Sequence, residues 1–224
     1  MITQRYITLF QDEAEVKKLT MRILREGGVA LPDFFDQSTF DGLVEYWHSL
    51  STKNPKGEVY TTTHGIIPIS NIAQSSDFMR VFDAIHRARC EIQGVQYTPL
   101  DPAYQDFSLS IKTPNTPEDR TPFHFDDSYV NAVLALKLPT NKRQGNLMVY
   151  PNLRSRIRPL VLSKIIARLL RHLAFLRAIV RPKEITYYER GLHLFFGDLT
   201  LHGVPALSQG ERVSVTFNAS RCLP

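Results

Sequence analysis

Cysteine is nearly absent from this chain. Cys90 and Cys222 are the only two in 224 residues, too few for a disulfide framework and without the spacing of a cysteine metal site. Long apolar runs are also missing, and Met1-Ile-Thr-Gln-Arg-Tyr6 does not lead into a secretory h-region, so neither a membrane span nor export is expected. Both scarcities fit a reducing, cytoplasmic setting. No Gly-x-Ser-x-Gly elbow and no His-Glu-x-x-His motif is present, which removes two hydrolase signatures. Internal repeats and low-complexity tracts are lacking too, and the length suits one domain over 1–224 with a sizeable core.

The charge is unevenly spread. The formal net charge is +5, yet residues 154–183 hold nine Lys or Arg and no Asp or Glu. The rest of the chain has 18 basic and 22 acidic residues, so it is slightly acidic around one basic insertion. Val161, Leu162, Ile165, Ile166, Leu169, Leu170, Leu173 and Leu176 follow a helical period there, with Lys164, Arg168, Arg171 and His172 on a polar side. The plain reading is a helix or helical pair packed on a sheet, its basic side in water. An anionic partner, a membrane surface or a cover over a site mouth are the alternatives.

Residues 1–100 read as mainly helical. Asp12, Glu13 and Glu15 precede Lys17, Lys18, Arg22 and Arg25, a charge order that suits the helix dipole and predicts a helix over 11–25, ended by Gly27-Gly28. Further helices are expected over 38–48 and 75–94. From Tyr104 the period shifts towards two, and strands are expected over 104–113, 129–138, 146–150, 184–189, 192–196 and 213–219. Helices followed by many short strands imply an α+β fold, with a jelly-roll (double-stranded β-helix, cupin-like) core over 104–221 and the helical insertion at 154–183.

The chemistry centres on Thr121-Pro-Phe-His-Phe-Asp-Asp-Ser-Tyr-Val130. His124 and Asp126 are two apart, so on an extended chain both side chains leave one face. His202 lies on another apolar, strand-like stretch, Gly197-Asp-Leu-Thr-Leu-His-Gly-Val204. Two imidazoles and a carboxylate on one side of a metal form the facial triad of non-haem iron, with the opposite positions open. Ten residues beyond His202 stand Arg212 and Ser214, again two apart. A guanidinium pairs with a carboxylate through two parallel hydrogen bonds, and a hydroxyl adds a third. Metal ligands followed by a carboxylate clamp predict an iron enzyme that consumes 2-oxoglutarate. His193 ranks below His202, because only His202 has the arginine and serine at the expected distance. Asn146, after Gly145, is expected to line the cofactor pocket, with Tyr187, Tyr188 and Lys112 as further candidates. Asp198 reads as structural.

His124-x-Asp126, His202 and Arg212-x-Ser214, on strands in this order, resemble the Fe(II)/2-oxoglutarate-dependent oxygenases. The likeness spans 104–221, and Val29-Ala-Leu-Pro-Asp-Phe-Phe35 is similar to the lead-in segment of many members. It implies Fe(II), 2-oxoglutarate and O2, decarboxylation to succinate, and hydroxylation of an unactivated C–H bond of a small metabolite. Asp127 after the ligand pair and Asn218-x-Ser220 resemble the substrate contacts of the small enzymes that hydroxylate or halogenate free amino acids, with Asp106 or Asp101 as a further acidic contact. Halogenases of that group have glycine where Asp126 stands, so hydroxylation is preferred. Thr121 stands where those enzymes have histidine, and His64 is the candidate for their upstream basic contact. Desaturation, cyclisation or other ring-forming oxidation at the same iron, or a non-catalytic jelly-roll binding module, are the alternatives. Nucleic-acid demethylation is disfavoured by Asn218 standing where repair enzymes of the superfamily have a second arginine.

Overall fold

Asp12 ends one helix and begins another. In the computed structural model, which describes residues 1–51, 60–61, 75–112, 123–139, 145–156, 162, 165–166, 168–170, 179–205 and 207–221, α1 (Gln4–Gln11) meets α2 (Glu13–Glu26) there. The Asp12 carboxylate accepts from the Ala14 and Glu15 N–H groups at 2.9 and 3.2 Å, which satisfies donors that a helix start leaves open. The helix expected over 11–25 therefore begins at this cap, and α1 is an addition to it. Gly27, at φ 87°, closes α2. Then come α3 (Gln37–Ser51) and α4 (Ser76–Gln93), the latter capped by Ser75 and Gly94.

The strands are β1 (Val29–Leu31), β2 (Tyr60–Thr61), β3 (Leu100–Lys112), β4 (Val130–Lys137), β5 (Leu147–Tyr150), β6 (Lys183–Ile185), β7 (Leu192–Phe195), β8 (Leu201–Gly203) and β9 (Arg212–Arg221). They form a six-stranded antiparallel sheet in the order β1-β7-β4-β9-β3-β2 and a three-stranded one in the order β6-β5-β8. The strand expected over 184–189 is shorter, ending at Ile185.

β4 shows why the layers stack as they do. Its side chains alternate faces, and both faces are buried. Val130, Ala132, Leu134 and Leu136 join Phe78, Phe82 and Ile85 of α4 in the main core, while Val133 and Ala135 meet Leu147 and Val149 of the second sheet. On β9, Val213, Val215, Phe217 and Ala219 take the helical side, so Arg212, Ser214, Thr216 and Asn218 belong to the face between the sheets. Helices therefore cover one face of the large sheet, and the small sheet covers the other. The lead-in segment forms β1 against β7 and then buries Phe34 and Phe35 in the main core.

The basic insertion only partly meets its expectation. Residues 162, 165–166 and 168–170 are helical, and Leu170 is buried with Tyr150 and Leu201, beside Ile166, Leu153, Phe123 and Phe125. Leu162, Ile165 and Leu169, expected on the packed side, are exposed instead. The seat offered by the domain is narrower than the apolar stripe.

Candidate metal centre and carboxylate pocket

His124 and His202 are brought together by their own backbones. Each N–H donates to the other's carbonyl, at 2.9 and 3.0 Å, in an isolated antiparallel bridge. The Asp126 N–H donates to the Gly197 carbonyl at 3.0 Å. The stretch holding His124 and Asp126 is thus not a regular strand; it is an extended segment pinned at two points. Its alternation still holds: Phe123 and Phe125 pack outward under the insertion, and His124 and Asp126 converge on the other side. His124 Nε2 lies 3.2 Å from Asp126 Oδ1, and His202 Nε2 lies 3.3 Å from Asp126 Oδ2. One ligand atom from each residue can be chosen so that all three lie within 4.8 Å of one another. Donors bonded at about 2.1 Å to one cation sit roughly 3 Å apart when they subtend a right angle, so the spacing fits a single ion.

The surrounding groups fix these donors. His202 Nδ1 lies 3.0 Å from the Thr200 carbonyl; donating there leaves the Nε2 lone pair for a metal. Without a metal, Nε2 of each imidazole can instead carry a proton. Burial would raise the Asp126 carboxyl, but hydrogen bonds from the two rings outweigh it and hold the group well below the usual carboxylate range. A bound cation favours the same ionised form.

Asn131 is the residue that the sequence reading missed. It is fully buried on β4, with Oδ1 accepting from the Gly197 N–H at 2.9 Å. That contact sets the orientation of the amide. Its Nδ2 then faces Asp126 Oδ2 at 2.6 Å, Ser128 Oγ at 2.7 Å and Asn218 Oδ1 at 2.7 Å. Gly197 is needed for this approach, because a Cβ there would stand 2.4 Å from Asn131 Oδ1 and 2.7 Å from Asp126 Oδ2. One signal was present in the sequence: an amide within the apolar run of 130–136.

Asp198 is structural, as expected. Arg89 of α4 grips it through two parallel hydrogen bonds of 2.8 and 2.6 Å and also donates to the Tyr129 carbonyl at 2.8 Å. This pair, 6% and 15% exposed at the side chains, ties the helical layer to the turn that carries Gly197 and Thr200. The Asp198 N–H in turn donates to the Ser128 carbonyl at 3.2 Å.

Arg212 and Ser214 lie on the face between the sheets. Arg212 is 4% exposed, and its Nη1 donates to the Gly145 carbonyl at 2.9 Å. Its guanidinium carbon is 5.1 Å from the centre of the Tyr187 ring. Among the described residues it has no carboxylate partner; its Nε and the Ser214 hydroxyl are buried without a hydrogen bond. Burial lowers the Arg212 pKa and raises that of Tyr187. A buried guanidinium is rarely left without an anion, so the cradle fits a carboxylate. Val133, Ala135, Leu147, Val149, Tyr187 and Phe195 pack together between the sheets, and the Phe195 ring centre is 4.6 Å from that of His202.

The other expected site residues are placed as follows. The Asn146 amide donates to Glu184 and accepts from the Tyr187 N–H at 3.1 Å, so its polar ends hold Tyr187 in place beside Arg212. Asp127 is exposed. Asn218 reaches Asp126 through Asn131, and Asp106 pairs with Asn218 in the β3–β9 register; Ser220 lies two residues on along β9. Lys112 pairs with Arg212 in that register, and Tyr188 is half exposed. His193 is buried away from the metal ligands, bonded to backbone groups of Val133, Thr186 and Tyr188. His64, Thr121, Cys222 and the insertion's Arg158, Lys164, Arg171 and Arg177 lie outside the described residues.

No family model matches the chain, and no curated protein sequence matches it. Solved structures do. A prolyl 4-hydroxylase from Phytophthora capsici superposes with a TM-score of 0.64 over 99% of this chain and 67% of its own, at 14% identity. HygX from Streptomyces hygroscopicus, with nickel and 2-oxoglutarate bound, gives 0.60 over 91% and 87%, at 13% identity. The non-haem α-ketoglutarate-dependent epimerase SnoN, from nogalamycin biosynthesis, gives 0.60 over 94% and 82%, at 14% identity. At these identities the likeness is one of fold. The chain shares its fold with non-haem, 2-oxoglutarate-binding proteins.

Proposed function

We propose that this chain is a single-domain Fe(II)/2-oxoglutarate-dependent oxygenase with a double-stranded β-helix core. It hydroxylates an unactivated C–H bond of a small metabolite such as an amino acid or a derivative. One observation carries the reading: a His-Asp-His cluster shares the inter-sheet layer with a buried arginine and serine that keep unpaired polar atoms. Two imidazole nitrogens and one carboxylate oxygen are a donor set suited to Fe(II), with one side of the ion left open. Iron and co-substrate, when bound, supply the oxidising power, with 2-oxoglutarate decarboxylated to succinate.

The residues of the chain orient and shield. Arg212 and Ser214 hold the distal carboxylate of the co-substrate, and Tyr187, steadied by Asn146, closes off water beside it. Thr200 and Asn131 fix His202 and Asp126. Asn131 also sets the polarity of a substrate contact: the Asn218 carbonyl faces Asn131, so its own N–H groups point elsewhere. Asn218 therefore serves a substrate oxygen that accepts hydrogen bonds, such as a carboxylate or carbonyl. Asp127, Asp106 and Ser220 remain the proposed further contacts. SnoN is an epimerase on the same fold, which keeps desaturation or ring formation as the second reading.

Anaerobic titration with Fe(II) and 2-oxoglutarate tests this. A visible charge-transfer band requiring both, and weakened in Arg212→Ala, is expected. Folded protein that gives no band would turn the assignment towards a non-catalytic binding module.

A further inference from the structure

Five of the nine large apolar side chains exposed among the described residues fall between 162 and 180. Leu162, Ile165 and Leu169 are 45%, 48% and 41% exposed, and Ile179 and Val180 are 73% and 50% exposed. At 3.6 residues per turn the first three lie within about 60° of one another. Next to them on the helix, Ile166 and Leu170 turn inward onto Tyr150, Leu201, Phe123 and Phe125. Of the five described residues of the stripe, two are seated and three are left in water. A contiguous apolar ridge of this kind marks a contact surface more often than an ordinary exterior.

Charge narrows what the ridge meets. Residues 154–183 carry nine Lys or Arg and no Asp or Glu, and Arg168 is exposed beside the ridge. The partner must be anionic and must also offer an apolar phase. Nucleic acid has the charge without that phase, and a symmetric contact of this ridge with its copy in a second chain would set like charges face to face. No described helix is long and apolar enough to cross a membrane, so the contact is one of lying on a surface. We propose that this segment docks on an anionic phospholipid bilayer. Leu162, Ile165 and Leu169 enter the interface while Arg168, exposed beside them, meets headgroup phosphates. Docking there places the bilayer on the far side of the helix from the ligand-bearing segment, because Phe123 and Phe125 alternate with His124 and Asp126. The proposal does not depend on the iron chemistry.

The experiment is co-sedimentation of the full chain with sucrose-loaded vesicles, either pure phosphatidylcholine or the same lipid with phosphatidylglycerol. Binding to the anionic vesicles should be roughly ten-fold or more tighter and should weaken as salt is raised from about 0.1 to about 0.5 M. The variant Leu162→Ser/Ile165→Ser/Leu169→Ser should lose about ten-fold of that binding while keeping its unfolding midpoint. Ile165→Ser alone, if the triple variant fails to fold, should show a smaller loss in the same direction. Arg168→Glu should weaken binding at low salt only. Equal binding to both lipids, or none, overturns the proposal. Unchanged binding by the apolar variants overturns it as well. So does tighter binding to a single-stranded RNA oligomer that is indifferent to the ridge.

Discussion

Asn131 has two N–H bonds and three oxygens within reach: Asp126 Oδ2, Ser128 Oγ and Asn218 Oδ1. Replacing it by Leu keeps the volume close but strips Asp126 and the Gly197 N–H of their partner. Groups that orient a metal ligand are commonly worth 10–100-fold in affinity. Asn131→Leu should therefore weaken Co(II) or Fe(II) binding by about that factor in direct titration, with the fold retained by circular dichroism. His193 gives a prediction of another kind. Burial, opposed by backbone hydrogen bonds, lowers its pKa to about 4, so the folded protein holds it neutral. As pH falls below the ordinary histidine value of about 6.5, the unfolded chain takes up a proton that the folded one refuses. This contribution is complete above that value and is lost as pH falls to about 4. It amounts to roughly 3 kcal/mol, and His86, also lowered chiefly by burial, acts in the same direction. Urea unfolding across this window should show the loss, and His193→Gln should flatten it.

Between elements, Arg89 and Asp198 form a buried ion pair. Removing one partner of a buried pair leaves the other charge stranded, which costs about 3–5 kcal/mol. Arg89→Met should lower the unfolding free energy by that order, and Arg89→Met/Asp198→Leu should recover part of it. The single variant should also loosen metal binding, because the turn Asp198 anchors bears Gly197 and Thr200. Elements with strong local signals were legible in the sequence. α4 has its serine cap, its apolar period and its closing glycine, and β4 and β9 have long runs. β8 has three residues, and the pairing of His124 with His202 is a long-range backbone contact that no local pattern encodes. The ligands themselves were legible, since side chains two apart share a face on any extended chain, regular strand or not. Asn131 and Arg89 were not, because their partners lie 5 to 109 residues away and neither spacing nor composition announces them. The exposure of Leu162, Ile165 and Leu169 was not legible for a similar reason: period reveals an apolar stripe, not the width of the seat that receives it.

For the molecule as a whole, the buried Arg212, with no carboxylate partner among the described residues, makes stability depend on what is bound. A ligand that binds only the folded state adds about 2.7 kcal/mol at a hundred times its dissociation constant. Mn(II) with 2-oxoglutarate should raise the unfolding temperature above that with Mn(II) alone, and Arg212→Met should abolish the 2-oxoglutarate increment while sparing that of the metal. A dicarboxylate with no effect on wild-type protein would place the clamp elsewhere.

The bridge between His124 and His202 also bears on time. The two segments are 78 residues apart in the chain, with β4, β5, β6, β7 and the basic insertion between them. Closing so long a loop comes late in folding, since entropy is lost before the contact gives anything back. The three donors are then scattered in the transition state and gathered only afterwards. A metal ion cannot speed the passage to a state that lacks its site, but it must be released before the finished protein comes apart. Refolding rates should be indifferent to the ion, and unfolding rates should fall with its concentration.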